Sequence, residues 1–146
     1  GDGPEKPRLL EKAKSMDLKA VTFIGNIPRS AMSTTIAACD AYIVPLKRND
    51  LFLGAIPSKL FEPLAMGKPI LLGVDGEARD LFITRGEAGV FFEPENAREL
   101  AGAILSMIAD RERTKEMGMK GKQYVAGNFN RKVIASAFYA KLKTII

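Results

Sequence analysis

The chain has no histidine, no tryptophan, a single cysteine and no apolar run approaching the roughly 20 residues that a membrane-spanning helix requires. Without histidine, any His-based catalytic triad is excluded, and the commonest metal ligand and acid–base side chain are missing. We therefore nominate no metal site and no catalytic side chain. Cys39 alone makes no internal disulfide, and its setting, TTIAACDAYIVP, reads as that of a buried small hydrophobe rather than a reactive thiol. The opening GDGPEKPRLLEKAKS lacks the apolar core of a signal peptide. A cytoplasmic protein is the expectation.

What is present is enough for a real core: 47% of 146 residues are hydrophobic, the size and content of one domain spanning 1–146. The net charge of +5 is unevenly spread. Residues 1–110 carry thirteen basic and fifteen acidic side chains, whereas 111–146 carry nine and two. That excess reads first as a solvated helical face, and second as peripheral contact with the anionic inner face of a membrane or with a partner segment. Tyr124, Phe129, Phe138 and Tyr139 are not interleaved with basic residues on a strand, so they read as packing residues, and nucleic acid is not an expected partner. Met107, Met117 and Met119 fall in helical patterns as core or helix-face residues.

Helical patterns alternate with short apolar runs along the chain. Helices are expected over 7–16, 31–40, 58–66, 76–85, 96–110, 111–127 and 130–146. Strands are expected at AVTFIG (20–25), AYIVP (41–45), PILLG (69–73) and AGVFFEP (88–94). Continuous Val, Ile, Leu and Phe runs suit strands covered on both faces. The pattern predicts an α/β fold: an open parallel sheet with helices on both faces, ending in C-terminal helices. Gly67-Lys68-Pro69 is a helix stop and Asn96 an N-cap. The opening GDGP resembles a turn that follows a strand, so the chain reads as starting partway through a larger α/β protein.

Open parallel sheets bind ligands outside the carboxyl ends of their strands. Three loops qualify: Gly25-Asn26-Ile27-Pro28, the stretch Lys47–Pro57, and Gly73-Val74-Asp75-Gly76. After the second, a helix starts near Ser58, whose side chain is placed to cap it, and the first N–H groups of a helix attract anions, phosphate above all. Gly54 permits close backbone approach, and Lys59 adds a charge. Ser58, Lys59 and Glu62 share a face, so a carboxylate receiving two ribose hydroxyls beside a bound diphosphate would make a nucleotide site. The plainer reading stands alongside: an ordinary cap, an ordinary Lys59–Glu62 helix pair and a loop glycine, with Pro63 distorting the first turn.

Taken together, VTFIGNIPRSAM, CDAYIVPL, PSKLFEPLAMGKPIL, GVDGEARDLF, EAGVFFEPENARELAGAI and MGMKGKQYVAGNF resemble the C-terminal, donor-binding domain of GT-B-fold retaining glycosyltransferases, the glycosyl transferases group 1 family. The resemblance covers nearly the whole chain. It implies a Rossmann-like domain, with no metal and no cofactor. The domain binds a nucleotide-diphosphate sugar of the UDP or GDP type for transfer to a cell-surface polysaccharide or glycolipid acceptor. It further implies that Glu62 receives the ribose, that the amides of Ser58, Lys59 and Leu60 face the diphosphate, that Gly25, Asn26 and Ile27 touch the base, and that Gly54 and Ala55 contact the sugar.

The chain departs from the family pattern in two ways. Gly54 stands where the family often has a second glutamate, with Asn49 or Asp50 as substitutes, and the expected first strand–helix unit and N-terminal acceptor domain of the same polypeptide do not precede GDGP. The chain alone would then be inactive. A sugar-nucleotide epimerase of the same fold and a flavodoxin-like signalling module, suggested by Asp40 and Lys68-Pro69, are the alternatives. The final helices of the family reach the N-terminal domain, so residues 129–146 are expected to drive self-association. A monomer in sedimentation at high protein concentration would contradict it.

Overall fold

Residues 70–73, Ile-Leu-Leu-Gly, offer side chains to both sides of a strand and no polar group to either. In the computed structural model, which describes residues 2–145, they form the central strand of a three-stranded parallel sheet. β1 (Tyr42–Pro45) and β3 (Gly89–Phe91) flank β2 (Ile70–Gly73), and all four β2 residues are buried. Tyr42 pairs with Ile70, and Ile70 with Gly89. Alternation along β2 feeds two cores. Ile70 and Leu72 join Val44, Leu60, Leu64 and Phe82 on one face, while Leu71 joins Phe92, Ala103 and Met107 on the other. Helices thus cover both faces, as the sequence pattern predicts.

By internal packing the chain divides into two units, residues 1–35 and 36–146. The first contains α1 (Lys6–Ser15), which has Pro7 in its first turn and buries none of its side chains. α2 (Arg29–Ala37) follows. The strand expected at 20–25 does not form: residues 21–28 are without regular structure, and Val21 and Ile24 are exposed. The composition suits a strand, but a strand exists only through ladder bonds to a neighbour, and the described residues of this unit contain none.

In the second unit a single 3₁₀ turn (Ser58–Leu60) leads into α3 (Phe61–Ala65). Gly67, with φ of 73°, ends that helix as expected. α4 (Glu77–Arg79) widens into a π-helical turn (Asp80–Arg85), then come α5 (Ala97–Ala109), α6 (Arg111–Asn128) and α7 (Arg131–Lys143). Asn96 caps α5 by accepting from Glu99 N, while Glu99 Oε1 accepts from Asn96 Nδ2, a reciprocal arrangement that closes the helix start. Phe61, Phe82, Tyr124 and Phe129 form one aromatic cluster, with Phe82–Phe129 centroids 5.4 Å apart.

The expectations for Phe138, Tyr139 and Cys39 need correction. Phe138 and Tyr139 are 63% and 60% exposed, because α7 buries none of its described side chains. Cys39 is only half-buried, since it follows the end of α2 rather than lying inside it. Met107 and Met117 pack against the second core and Met119 lies on the exposed face of α6, as expected. Among the described residues no helix is long and apolar enough to cross a membrane.

α6 passes so close to the end of α3 that a Cβ on Gly118 would lie 2.1 Å from Gly67 O. Gly118→Ala should therefore cost about 1–3 kcal/mol. Gly102, inside α5 with open space around it, should gain about 0.5–1 kcal/mol on substitution by alanine. Urea unfolding of the two variants reads both signs.

Candidate functional site

Because the three strands are parallel and in register, their carboxyl ends lie side by side, and the loops leaving them meet at one edge. β1 ends at Pro45 opposite Gly73 of β2, and Leu72 stands opposite Phe91 of β3. A cleft of about 300 Å³ opens there, lined from the β1 loop by Lys47, Arg48, Asn49 and Asp50, from the β2 loop by Asp75, and from the β3 loop by Glu93. These are hydrogen-bonding side chains of both signs, a lining suited to a polyhydroxylic or charged ligand.

Local contacts fix each wall. Asn49 Oδ1 accepts from Leu51 N at 3.0 Å and caps a 3₁₀ turn, Asp50–Phe52. Arg48 Nη2 donates to Glu93 Oε2 at 2.8 Å, and Arg48 N to Glu95 Oε2 at 3.2 Å, which ties the β1 loop to the β3 loop. Glu77 N donates to Leu53 O at 2.7 Å, which ties it to the β2 loop. That approach requires glycine at 76: φ is 82°, and a Cβ would sit 2.1 Å from Leu53 O. Asp75 Oδ1 accepts from Gly76 N at 2.8 Å and Arg79 Nη1 at 3.3 Å, and the Arg79 guanidinium lies 4.0 Å from the Phe91 ring centroid. The Gly76 N–H, seconded by Arg79, holds the Asp75 carboxyl below its ordinary 3.8.

The 54–62 stretch continues from the same loop. Gly54 is exposed, and a Cβ there would meet nothing within 4 Å, so protein atoms leave its surroundings open. Ala55 is half-buried, with its N–H donating to Phe52 O. Ser58 does not cap: Pro57 holds the N-cap position, and no side chain closes the turn. Ser58 lies one residue too far along, inside the 3₁₀ turn that Leu60 N closes on Pro57 O at 3.1 Å. The N–H groups of Ser58 and Lys59 precede that first bond. Leu60 is fully buried, while Ser58, Lys59 and Glu62 are exposed. Among the described residues neither Lys59 nor Glu62 makes an ion pair, with the other or with any third side chain.

Gly25, Asn26 and Ile27 belong to the unit 1–35. There Asn26 N donates to Asp2 Oδ2 at 3.0 Å, and Lys6 pairs with the same carboxylate. The Lys6 hydrogen bond is the main reason the Asp2 carboxyl titrates below its ordinary value.

Arg48 lies within the nominated stretch Lys47–Pro57, but sequence reasoning overlooked Glu93. AGVFFEP reads as a strand to Pro94, which hid the loop after it; its place at the carboxyl end of the last strand is the signal that nominates Glu93.

Once these positions are fixed, comparison with known proteins is informative. The profile described as Glycosyl transferases group 1 matches residues 1–124. A curated relative, the GDP-mannose-dependent alpha-(1-6)-phosphatidylinositol monomannoside mannosyltransferase of Mycobacterium tuberculosis, is 21% identical over 118 residues, 80% of this chain and 30% of the relative. Among solved structures, sucrose-phosphate synthase from Thermosynechococcus elongatus superposes with a TM-score of 0.73 at 24% identity, over 100% of this chain and 36% of that one. Anabaena HepE, solved in complex with UDP, gives 0.73 at 21% identity, over 95% and 36%. The chain thus spans about a third of the length of these relatives.

A depressed carboxylate stabilises the fold above its ordinary pKa, and that contribution is lost as pH falls through the lowered value. Asp75→Asn should therefore flatten the decline in stability that the wild type shows between about pH 5 and pH 2. Chemical unfolding across that range measures it.

Proposed function

The chain belongs to the glycosyl transferases group 1 family, and on that basis we propose that it is the donor-binding domain of a retaining hexosyltransferase. Its three-stranded parallel sheet with flanking helices matches the Rossmann-like C-terminal domains of the GT-B fold. The observation that carries the reading is the mouth of the 58–62 turn. Lys59 and Glu62 stand three residues apart, exposed and unpaired, beside N–H groups that precede the first bond of the turn.

In this proposal the donor is a nucleotide-diphosphate sugar. Its diphosphate meets the N–H groups of Ser58 and Lys59 and the Lys59 ammonium, with Leu60 closing the turn beneath them. The Glu62 carboxylate accepts hydrogen bonds from the two ribose hydroxyls. The sugar enters the cleft past Gly54 and Ala55, where Asn49 and Asp50 offer the polar contacts that a glutamate at 54 would have supplied. As the bond to the sugar breaks, negative charge grows on the diphosphate, where these donors stabilise it. The departing phosphate oxygen takes the acceptor's proton, so no side-chain base is invoked. The acceptor, a cell-surface polysaccharide or glycolipid, is assigned to another domain of the polypeptide.

Of the alternatives, the signalling module loses its premise: Asp40 lies ahead of β1, on the amino side of the sheet, away from the edge where a phospho-accepting aspartate would have to stand.

The mycobacterial relative is named for GDP-mannose and the Anabaena structure holds UDP, so the base is the variable to measure. Calorimetric titration with UDP, GDP and ADP is expected to give saturable binding of one of them. Glu62→Ala should weaken it about tenfold or more, the worth of a hydrogen bond to a charged group. Binding unchanged in Glu62→Ala, or none even in a polypeptide extended at its N terminus, would overturn the proposal.

A further inference from the structure

We infer that the unit 36–146 carries a second ligand site at the amino edge of its sheet, shaped for a single-chain amphiphile with an anionic head. A cavity of about 660 Å³ opens there, between α5, α6 and the segments that enter β1 and β2. Its volume is that of a small-molecule site, and it lies at the sheet edge opposite the donor cleft. The inference does not rest on the donor reading.

The cavity is apolar inside. Leu71, Ile104 and Met107 line it from the second core, and Ile108 and Met119 line it while 59% and 52% exposed. Large apolar side chains left accessible within a concavity mark a place where an apolar partner is gained on binding. Two of the five are methionine, whose flexible, polarisable side chain adapts to a chain of variable shape.

The rim has the opposite character. Lys68, Arg111 and Lys115 line it against one acidic residue, Asp40. Lys68 Nζ spends one donor on Ala37 O at 2.7 Å, and Lys115 Nζ contacts Glu112 Oε1 at 2.8 Å. Arg111 makes no ion pair among the described residues, so its guanidinium is free to take a phosphate or carboxylate in bidentate fashion. An apolar interior beneath a cationic rim selects a ligand with both parts. A neutral hydrophobe would leave the cations unused, and a bare anion would leave the interior wet.

The test is a methyl NMR titration of the protein labelled at methionine, with dodecyl phosphate kept below its micelle concentration, and with dodecyl maltoside and inorganic phosphate in parallel. Saturable shifts are expected at Met107 and Met119 with dodecyl phosphate, while Met16 and Met32 stay unmoved. Arg111→Glu, an exposed site whose thermal transition checks folding, should weaken binding about tenfold, and the maltoside should bind more weakly by a similar factor. UDP and GDP should leave both signals in place. The inference is overturned by any of three results: no saturation, the same shifts from inorganic phosphate alone, or equal affinity for the maltoside or in Arg111→Glu.

Discussion

The burial of β2 on both faces is the constraint from which the rest of the larger unit follows. Ile70, Leu71 and Leu72 are excluded from water, each worth about 1.5–3 kcal/mol, and they deliver alternate side chains to opposite cores. A strand with no polar face has to be sandwiched, so helices are required above and below it and parallel neighbours on either side. Parallel pairing in register then brings the carboxyl ends of three strands to one edge. The cleft lined by Lys47, Asp75 and Glu93 lies where it does for that reason, before any question of ligand arises.

Much of this was legible because it rests on local patterns. The apolar runs at 41–45, 69–73 and 88–94, the stop at Gly67 and the cap at Asn96 are all written within a few residues. What failed depended on a neighbour that local patterns do not reveal. AVTFIG has the composition of a strand but no strand to pair with among the described residues of its unit. Phe138 and Tyr139 have the hydrophobicity of core residues and no core to enter. Ser58 is a good capping residue displaced by one position, because Pro57 favours the extended conformation that an N-cap adopts and so claims that place. The link between Arg48 and Glu93 spans 45 positions, and no spacing rule reaches so far.

The two ends of the candidate site differ in how their charges are used. In the cleft, Arg48 is paired with Glu93, and Asp75 with Arg79, so the walls hold one another and their fields partly cancel. At the 58–62 mouth, a cation and a carboxylate three residues apart leave each other alone. Exposed pairs of this kind are worth little to stability, so leaving them open costs the fold almost nothing. The geometry says that the donors and the acceptor of this mouth are unspent.

Phe61, between Leu60 and Glu62, stands in the aromatic cluster, 5.7 Å from Phe82 and 5.3 Å from Phe129. One fully buried anchor, Leu60, and one half-buried, Phe61, therefore sit between exposed polar side chains along five residues. The backbone at the mouth is immobilised by packing on its inner side, so the entropy of ordering it is lost when the chain folds rather than when a ligand arrives. Association there needs no loop to find its shape first, and its rate is set by encounter and by the field of the local charges.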